Sequence, residues 1–357
     1  MLVIIPQEIT DDSIIAYNIP KEEPGATDYD IDALYLSGDR AVYGNNIYQA
    51  VAGVALNGTL PWSADTSYAA SQRAYVEATH KIYQANSDTK GQDPSNYSSG
   101  SSPVWTEVGT INRGVSLDDE DFWVQVGSTN YWGMFDPYTD TQTVGVPVDG
   151  GFLISAEINA SKRNAVSLFN LAGDYVELTV LRSGSVLWSK TVPIIERSSK
   201  TYSDYFFGRN IKIRTSFFAQ FPVYFSTTLK VKIFGSSVSK CGKLSPGYLK
   251  NVATTLNGVN LSIVDYSKVN TNEFGVTSIS KGKTKKKQSI PMVIDTVQIS
   301  DYYRFFEQQI PSTPCTFICD NDGSTECMTV HGIYQNFSVV VPGSDISNCS
   351  LDILGIN

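Results

Sequence analysis

The sequence predicts a mainly β protein built from small β-hairpin modules, a central jelly-roll-like β-sandwich and a C-terminal α+β docking domain. Three observations predict this class. Aromatic residues make up 11% of the 357 residues and charged residues only 18%, a balance that favours strands. Residues 229–233 alternate apolar and charged side chains, as a half-buried strand does. Several such short runs follow residue 150, which is typical of sandwiches and jelly rolls.

The C-terminal region combines a helical pattern with strand patterns. Residues 297–308 have the spacing of a helix whose core side includes Val297, and Pro311 and Pro314 end it. Strand-like runs precede and follow this helix, so we expect a sheet covered by one helix. A domain of this kind fits a docking role in a ring of subunits, by analogy with other assemblies.

The acidic composition restricts the kinds of partner. The formal net charge is -9, so counterion release gives the chain no general affinity for nucleic acid. The sequence has no run of about 18 apolar residues, so we expect no membrane insertion. Residues 1–6 lack the basic region and long apolar core of a signal peptide, and we expect folding in a cytoplasm.

A duplicated pattern lies near the N-terminus. Residues 35–50 and residues 68–85 both have a leading Tyr, then Arg-Ala, and finally Ile-Tyr-Gln-Ala. Turn residues between short runs predict a hairpin in each copy, with first strands at residues 40–43 and 73–76. A unit this small buries little surface, so its aromatic residues must form most of its core.

This pattern, with a Trp closing each copy, resembles the small carbohydrate-binding modules of chitinases. Such modules pack sugar C–H groups on aromatic faces while polar neighbours bind the hydroxyls. The resemblance implies four candidate sugar-platform residues; these are Tyr48, Trp62, Tyr83 and Trp105. The alternative is that these aromatics only fill the module cores. The second copy has Ser71-Gln72 where the first has Gly38-Asp39, which weakens the likeness there.

Other motifs resemble tail proteins of tailed bacteriophages. They are a Gly-x-Thr-Asn-x-Trp-x-Met-Phe-Asp-like segment ending at Asp136, and residues 3–11, 258–275 and 331–355. The resemblance implies a virion structural component of the tail tip or baseplate, assembled in the host cytoplasm. Its implied partners are other tail proteins, further copies in a symmetric ring, and a host-surface glycan.

These patterns predict five segments. An N-terminal docking arm (residues 1–24) precedes a first module (25–62) and a second module (63–127). The β-sandwich follows (128–250), and then the C-terminal assembly domain (251–357). The basic run of the last domain is a candidate docking site for an acidic partner, through Lys283, Lys285, Lys286 and Lys287. A solvated loop or a protected sheet edge is the alternative for this run.

The sequence contains no recognisable catalytic motif. It has two histidines and neither a nucleophile elbow, a His-Glu-x-x-His motif nor a phosphate loop. Five cysteines without a paired Cys-x-x-Cys favour reduced, mostly buried thiols, and we expect no metal and no cofactor. We therefore expect a non-enzyme. The alternatives are a host-receptor-binding adhesin and a polysaccharide depolymerase.

Overall fold

The computed structural model describes residues 1–54, 56, 59–197, 202–207, 211–271, 273–274, 277–320, 325–341 and 345–356. The protein is mainly β, as predicted. It forms two compact units: the large unit comprises residues 1–20 and 132–357, and the module unit comprises residues 21–131. None of the helices in these described ranges is long and apolar enough to cross a membrane.

The strands are numbered along the chain. The large unit begins with β1 (Leu2–Pro6) and β2 (Ile14–Tyr17). The module unit follows with β3 (Thr27–Asp28), β4 (Arg40–Tyr43), β5 (Asn46–Ala50), β6 (Leu60–Pro61), β7 (Ser67–Tyr68), β8 (Arg73–Val76), β9 (Lys81–Ala85), β10 (Thr89–Lys90), α1 (Pro94–Tyr97), β11 (Trp105–Thr110) and β12 (Trp123–Ser128).

The large unit resumes after residue 131. Its elements are β13 (Thr143–Val144), β14 (Val146–Val148), β15 (Gly151–Asn159), β16 (Ala165–Phe169), β17 (Tyr175–Arg182), β18 (Ser185–Pro193), β19 (Ile195–Arg197), α2 (Tyr202–Phe207), β20 (Ile211–Ile213), β21 (Phe217–Gln220), β22 (Thr228–Gly235), β23 (Lys240–Cys241), β24 (Lys243–Asn251), β25 (Thr254–Thr255), β26 (Asn260–Asp265), β27 (Lys268–Thr271), β28 (Thr277–Ser280), β29 (Thr284–Asp295), α3 (Ile299–Arg304), β30 (Cys315–Ile318), β31 (Thr329–Val340) and β32 (Ile346–Gly355). Short 3-10 turns occur at Asp11–Ser13, Glu77–Thr79, Thr296–Gln298 and Glu326–Met328, and one π-helical turn at Phe305–Gln309.

The module unit contains two four-stranded sheets of the same design. One has the order β12-β5-β4-β3 and the other β11-β9-β8-β6. In both, a tight hairpin carries a parallel strand on one side and an antiparallel strand on the other. The last strand bulges at the same place in both sheets, before Gly109 and before Gly127. The duplication in the sequence is therefore a duplication of the fold.

The two modules are nested, which corrects the predicted boundaries at residues 62 and 127. Strand β6 pairs with β8 of the second hairpin, while β12 pairs with β5 of the first. We call residues 59–110 the inner module, and residues 21–54 with 111–131 the outer module. The inner module lies within the chain of the outer module. The inner hairpin pairs with β11, which starts at Trp105, and the outer hairpin pairs with β12, which starts at Trp123.

The central part of the large unit contains a six-stranded antiparallel sheet. Its order is β14-β15-β22-β17-β18, and β2 adds to β15. Strand β22 alternates buried and half-buried residues along its whole length, as its sequence predicts. A tight turn joins β17 to β18, with Ser183 and Gly184 both at positive φ.

A ten-stranded sheet joins the regions predicted as separate domains. Its order is β21-β16-β24-β1-β30-β31-β32-β29-β25, with β26 added to β29. Strand β1 hydrogen-bonds to β24 on one side and to β30 on the other. The predicted divisions at residues 24 and 250 are therefore wrong, because the N-terminal strand fills the centre of one continuous sheet.

The predicted C-terminal helix is confirmed with changed detail. It consists of a 3-10 turn, α3 and the π-helical turn in succession. Phe305 and Phe306 are buried, and Phe306 stacks on Phe337 of β31 at 4.3 Å between ring centroids. The expectation for Val297 is wrong, because this side chain lies in the exposed 3-10 turn before α3 begins.

Candidate carbohydrate-binding surface

Each module is held together by an aromatic pair at its centre. In the outer module Tyr35 meets Trp123 edge-on at 5.0 Å between ring centroids, and in the inner module Tyr68 meets Trp105 at 5.2 Å. Both tyrosine hydroxyls bond to the strand before them, at Asp28 and Pro61 respectively. The two pairs are thus equivalent in packing and in hydrogen bonding.

Two of the predicted sugar-platform residues belong to these cores. Trp105 is 0% exposed and Tyr83 is 3% exposed. The indole Nε1 of Trp105 donates to the carbonyl of Gln92 at 2.9 Å. Neither ring has a face available to a sugar, so the platform prediction is wrong for both. A small module without another apolar source commits these rings to its own core.

The other two predicted platform residues are partly accessible. Tyr48 packs against the outer core and Trp62 against the inner core, and both are half-buried. The sequence predicted that Trp62 closes the first copy. The structure instead places it in the inner module, where its backbone N–H donates to the carbonyl of Tyr75. It occupies the position that Tyr29 has in the outer module, where the N–H of Tyr29 donates to Val42.

The outer module has an aromatic cluster that the sequence analysis did not select. Tyr43 is 62% exposed and contacts Tyr29 edge-on at 6.0 Å between ring centroids. The hydroxyl of Tyr29 donates to Val115 at 2.7 Å, and burial raises its pKa, which keeps this donor protonated. Tyr48 lies on the same face, because it pairs with Ala41 two residues before Tyr43. The sequence contained a signal for this exposed ring, because Tyr43 ends β4 directly before the turn that leads into β5.

A groove adjoins the buried tyrosine of each module. The outer groove has a volume of about 680 Å³ and the inner one about 410 Å³. Both are lined by matching residues of the turn that follows the tyrosine and by the arginine after it, namely Gly38, Asp39 and Arg40 or Ser71, Gln72 and Arg73.

The turn is conserved in geometry although its residues differ. Asp39 accepts from the N–H of Leu36 at 2.8 Å, and Gln72 accepts from the N–H of Ala69 at 2.7 Å. Gly38 and Ser71 both have positive φ, 98° and 73°. The Ser71-Gln72 departure therefore preserves the backbone of the module and does not count against its fold.

The four candidate docking lysines lie on a two-stranded ribbon. We define the ribbon as residues 260–287, which pair β26 with the start of β29 and β27 with β28. Lys283 forms an ion pair with Asp140, and Lys285 lies over the ring of Tyr266 at 5.8 Å. Lys286 is exposed and Lys287 is half-buried. Two of the four ammonium groups are thus engaged within the chain.

The remaining reactive groups are buried or dispersed. Cys241, Cys315, Cys319 and Cys349 are buried free thiols, as predicted, whereas Cys327 is exposed. Burial raises the pKa of the first three to about 12, so they remain protonated. Within the described ranges, no three His, Cys, Asp or Glu side chains are grouped as metal ligands.

No protein-family model matches this sequence, and no curated protein was found to be a relative of it.

Proposed function

We propose that this protein is a structural component of a bacteriophage tail tip or baseplate that contacts a host-surface glycan through its outer module. The observation that carries the glycan contact is the cluster of Tyr29, Tyr43 and Tyr48. Aromatic rings with exposed faces beside hydroxyl groups are the usual partners of sugar C–H and O–H groups. The resemblance of the segment ending at Asp136 to phage tail proteins supports the place in the virion.

The ribbon supports the assembly part of this proposal. It carries six lysines against two acidic residues, whereas the whole chain has a net charge of -9. Ile263, Val269 and Ile279 are exposed on it, and a two-stranded ribbon is marginally stable unless it packs against something else. A second copy of this acidic chain offers the complementary charge, so the ribbon is proposed to dock on a neighbouring copy in a ring.

The glycan contact is tested with the full chain on a glycan array. We expect Tyr43→Ala to weaken the wild-type signal at least tenfold, because it removes an exposed ring without disturbing the core. Tyr97→Ala is the matched control, since Tyr97 is also an exposed tyrosine of the same unit but lies on α1. Absence of any glycan signal, or equal signal in both variants, contradicts the glycan contact.

The place in the virion is tested separately. An antibody raised against this chain is expected to label the distal tail of the phage in negative-stain micrographs. Particles that carry no label at the tail contradict the structural assignment.

A further inference from the structure

A cavity in the large unit provides a second site, away from the modules. Its volume is about 470 Å³, within the range of ~300–1,000 Å³ that small-molecule sites span. Three strands of the ten-stranded sheet, β24, β1 and β31, contribute to it, together with Thr313 and Pro314 just before β30. The strand residues that line it include Lys243, Ser245 and His331, and Trp132 and Phe135 supply aromatic rings.

Three residues of this cavity have buried polar atoms without a protein partner. Ser245 is 2% exposed and His331 is 3% exposed, yet neither Ser245 Oγ nor His331 Nε2 has a hydrogen-bond partner. Gln7 Oε1, from another residue of the lining, is also buried and unpaired. Leaving a buried polar group unpaired costs about 1–3 kcal/mol, so three such atoms around one cavity indicate an absent occupant.

The hydrogen-bond chain behind His331 determines what its free nitrogen offers. Ser167 Oγ lies 3.4 Å from the carbonyl oxygen of Ser245. Because a carbonyl oxygen can only accept, Ser167 Oγ is the donor of this bond. Ser167 therefore accepts from Thr316 Oγ1 at 2.7 Å, and Thr316 accepts from His331 Nδ1 at 3.3 Å. With its proton on Nδ1, the neutral ring has a bare acceptor at Nε2. Burial lowers the pKa of His331 to about 3, which keeps the ring neutral.

The charges of the lining disfavour an anionic occupant. The one lysine of the lining, Lys243, directs its ammonium group to the carbonyls of Phe135 and Asp136. The lining also includes the acidic residues Glu8 and Asp136. An additional negative charge would lie near two acidic residues and one cation that is already engaged.

We propose that this cavity binds a neutral, hydroxyl-bearing small molecule of sugar type. The acceptors His331 Nε2 and Gln7 Oε1 require hydroxyl donors, and Ser245 Oγ can donate or accept. Trp132 is half-buried and gives a sugar ring an apolar face against which to pack its C–H groups. The site shares no residue with the modules, so it holds or fails independently of the glycan contact proposed above.

The test is saturation-transfer NMR on the full chain with D-glucose, D-galactose, N-acetyl-D-glucosamine and the anionic D-glucuronate. We expect transfer to at least one neutral sugar, reduced at least tenfold in affinity by Ser245→Ala and by Trp132→Leu. Ser245→Ala removes a hydroxyl that has no protein partner, so it is expected to keep its unfolding midpoint. Ser338→Ala, outside the cavity, and Tyr43→Ala, in the outer module, are the controls that retain binding.

Three results would overturn the proposal. The first is no transfer from any neutral sugar, which leaves only water in the cavity. The second is transfer that persists in both Ser245→Ala and Trp132→Leu, because the sugar then binds elsewhere. The third is preferential binding of D-glucuronate, which contradicts the neutral ligand class.

Discussion

The outer and inner modules share one backbone design but expose different surfaces. On the core-facing side of its hairpin, the outer module ends its first strand with the exposed Tyr43, whereas the inner module has the half-buried Val76. On the other side, the inner module carries Tyr75 and Ile82, which pack with Ile111 and Leu34 into a cluster shared by the two modules. The same fold thus serves as a surface in one copy and as a support in the other.

This difference teaches that a repeated aromatic pattern does not imply a repeated site. The inner copy retains the central Tyr68–Trp105 pair, and it lacks a tyrosine at the position of Tyr43, on which the proposed glycan contact depends. The exposed surface of each copy is set by residues outside the shared pattern. Variants that affect both copies equally test the requirements of the fold. Variants that affect one copy only test the requirements of the proposed glycan contact.

The largest expected effect comes from removing the central tryptophans. Trp105→Ala and Trp123→Ala are each expected to cost about 3–5 kcal/mol, because a buried ring leaves a cavity in a very small core. Hydrogen exchange is expected to show lost protection in β8 and β9 for Trp105→Ala, and in β4 and β5 for Trp123→Ala. Equal loss in all four strands for both variants would show that the modules do not have independent cores.

The next effect concerns transfer of the exposed tyrosine. Val76→Tyr places a tyrosine at the inner-module position that Tyr43 has in the outer module. Val76 and the half-buried Trp62 pack against the same core. If exposed aromatic pairs determine recognition, this variant combined with Tyr43→Ala recovers about threefold of the glycan signal lost, roughly 0.7 kcal/mol. Val76→Leu, which adds bulk without an aromatic face, is the control and is expected to recover nothing.

The sequence predicted the local structure of the modules well. The strands expected at residues 40–43 and 73–76 match β4 and β8, because short-range turn chemistry defines a hairpin. It did not predict the nesting, since the partner of β5 lies more than seventy residues away at Trp123. Such a long-range choice depends on tertiary packing, which residue patterns do not contain.

The large unit shows the same limit. Strands β17, β22 and β29 follow from strand-like runs in the sequence, but the position of β1 between β24 and β30 does not. The cavity lining at Ser245 and His331 also escaped the sequence analysis, since nothing in the sequence brings Gln7, Ser245 and His331 together. Burial, which decided against Tyr83 and Trp105 as platforms, is likewise a property of the folded chain.

A separate effect distinguishes the two tryptophan indoles. Trp105 Nε1 donates to Gln92, whereas Trp123 Nε1 is buried without a partner. Replacement by Phe loses ring volume in both modules but loses a hydrogen bond only at Trp105. We therefore expect Trp105→Phe to cost about 1 kcal/mol more than Trp123→Phe in denaturant unfolding. Equal costs would mean that the Gln92 contact contributes no net stability.

The smallest effect concerns the turn that differs between the copies. Ser71 holds a positive φ of 73°, a conformation in which a side chain is strained, while Gly38 holds 98° at the same place. Ser71→Gly relieves this strain but gives the unfolded chain more freedom, so we expect a net gain of about 0.5 kcal/mol. Gly38→Ser is the reciprocal change and should lose a similar amount, although no atom blocks its new Cβ. Thermal unfolding of the two variants and of the double exchange measures both. If the unfolding midpoints of the two single variants shift in the same direction, the two turns are not equivalent. The shared backbone design of the modules would then need another explanation.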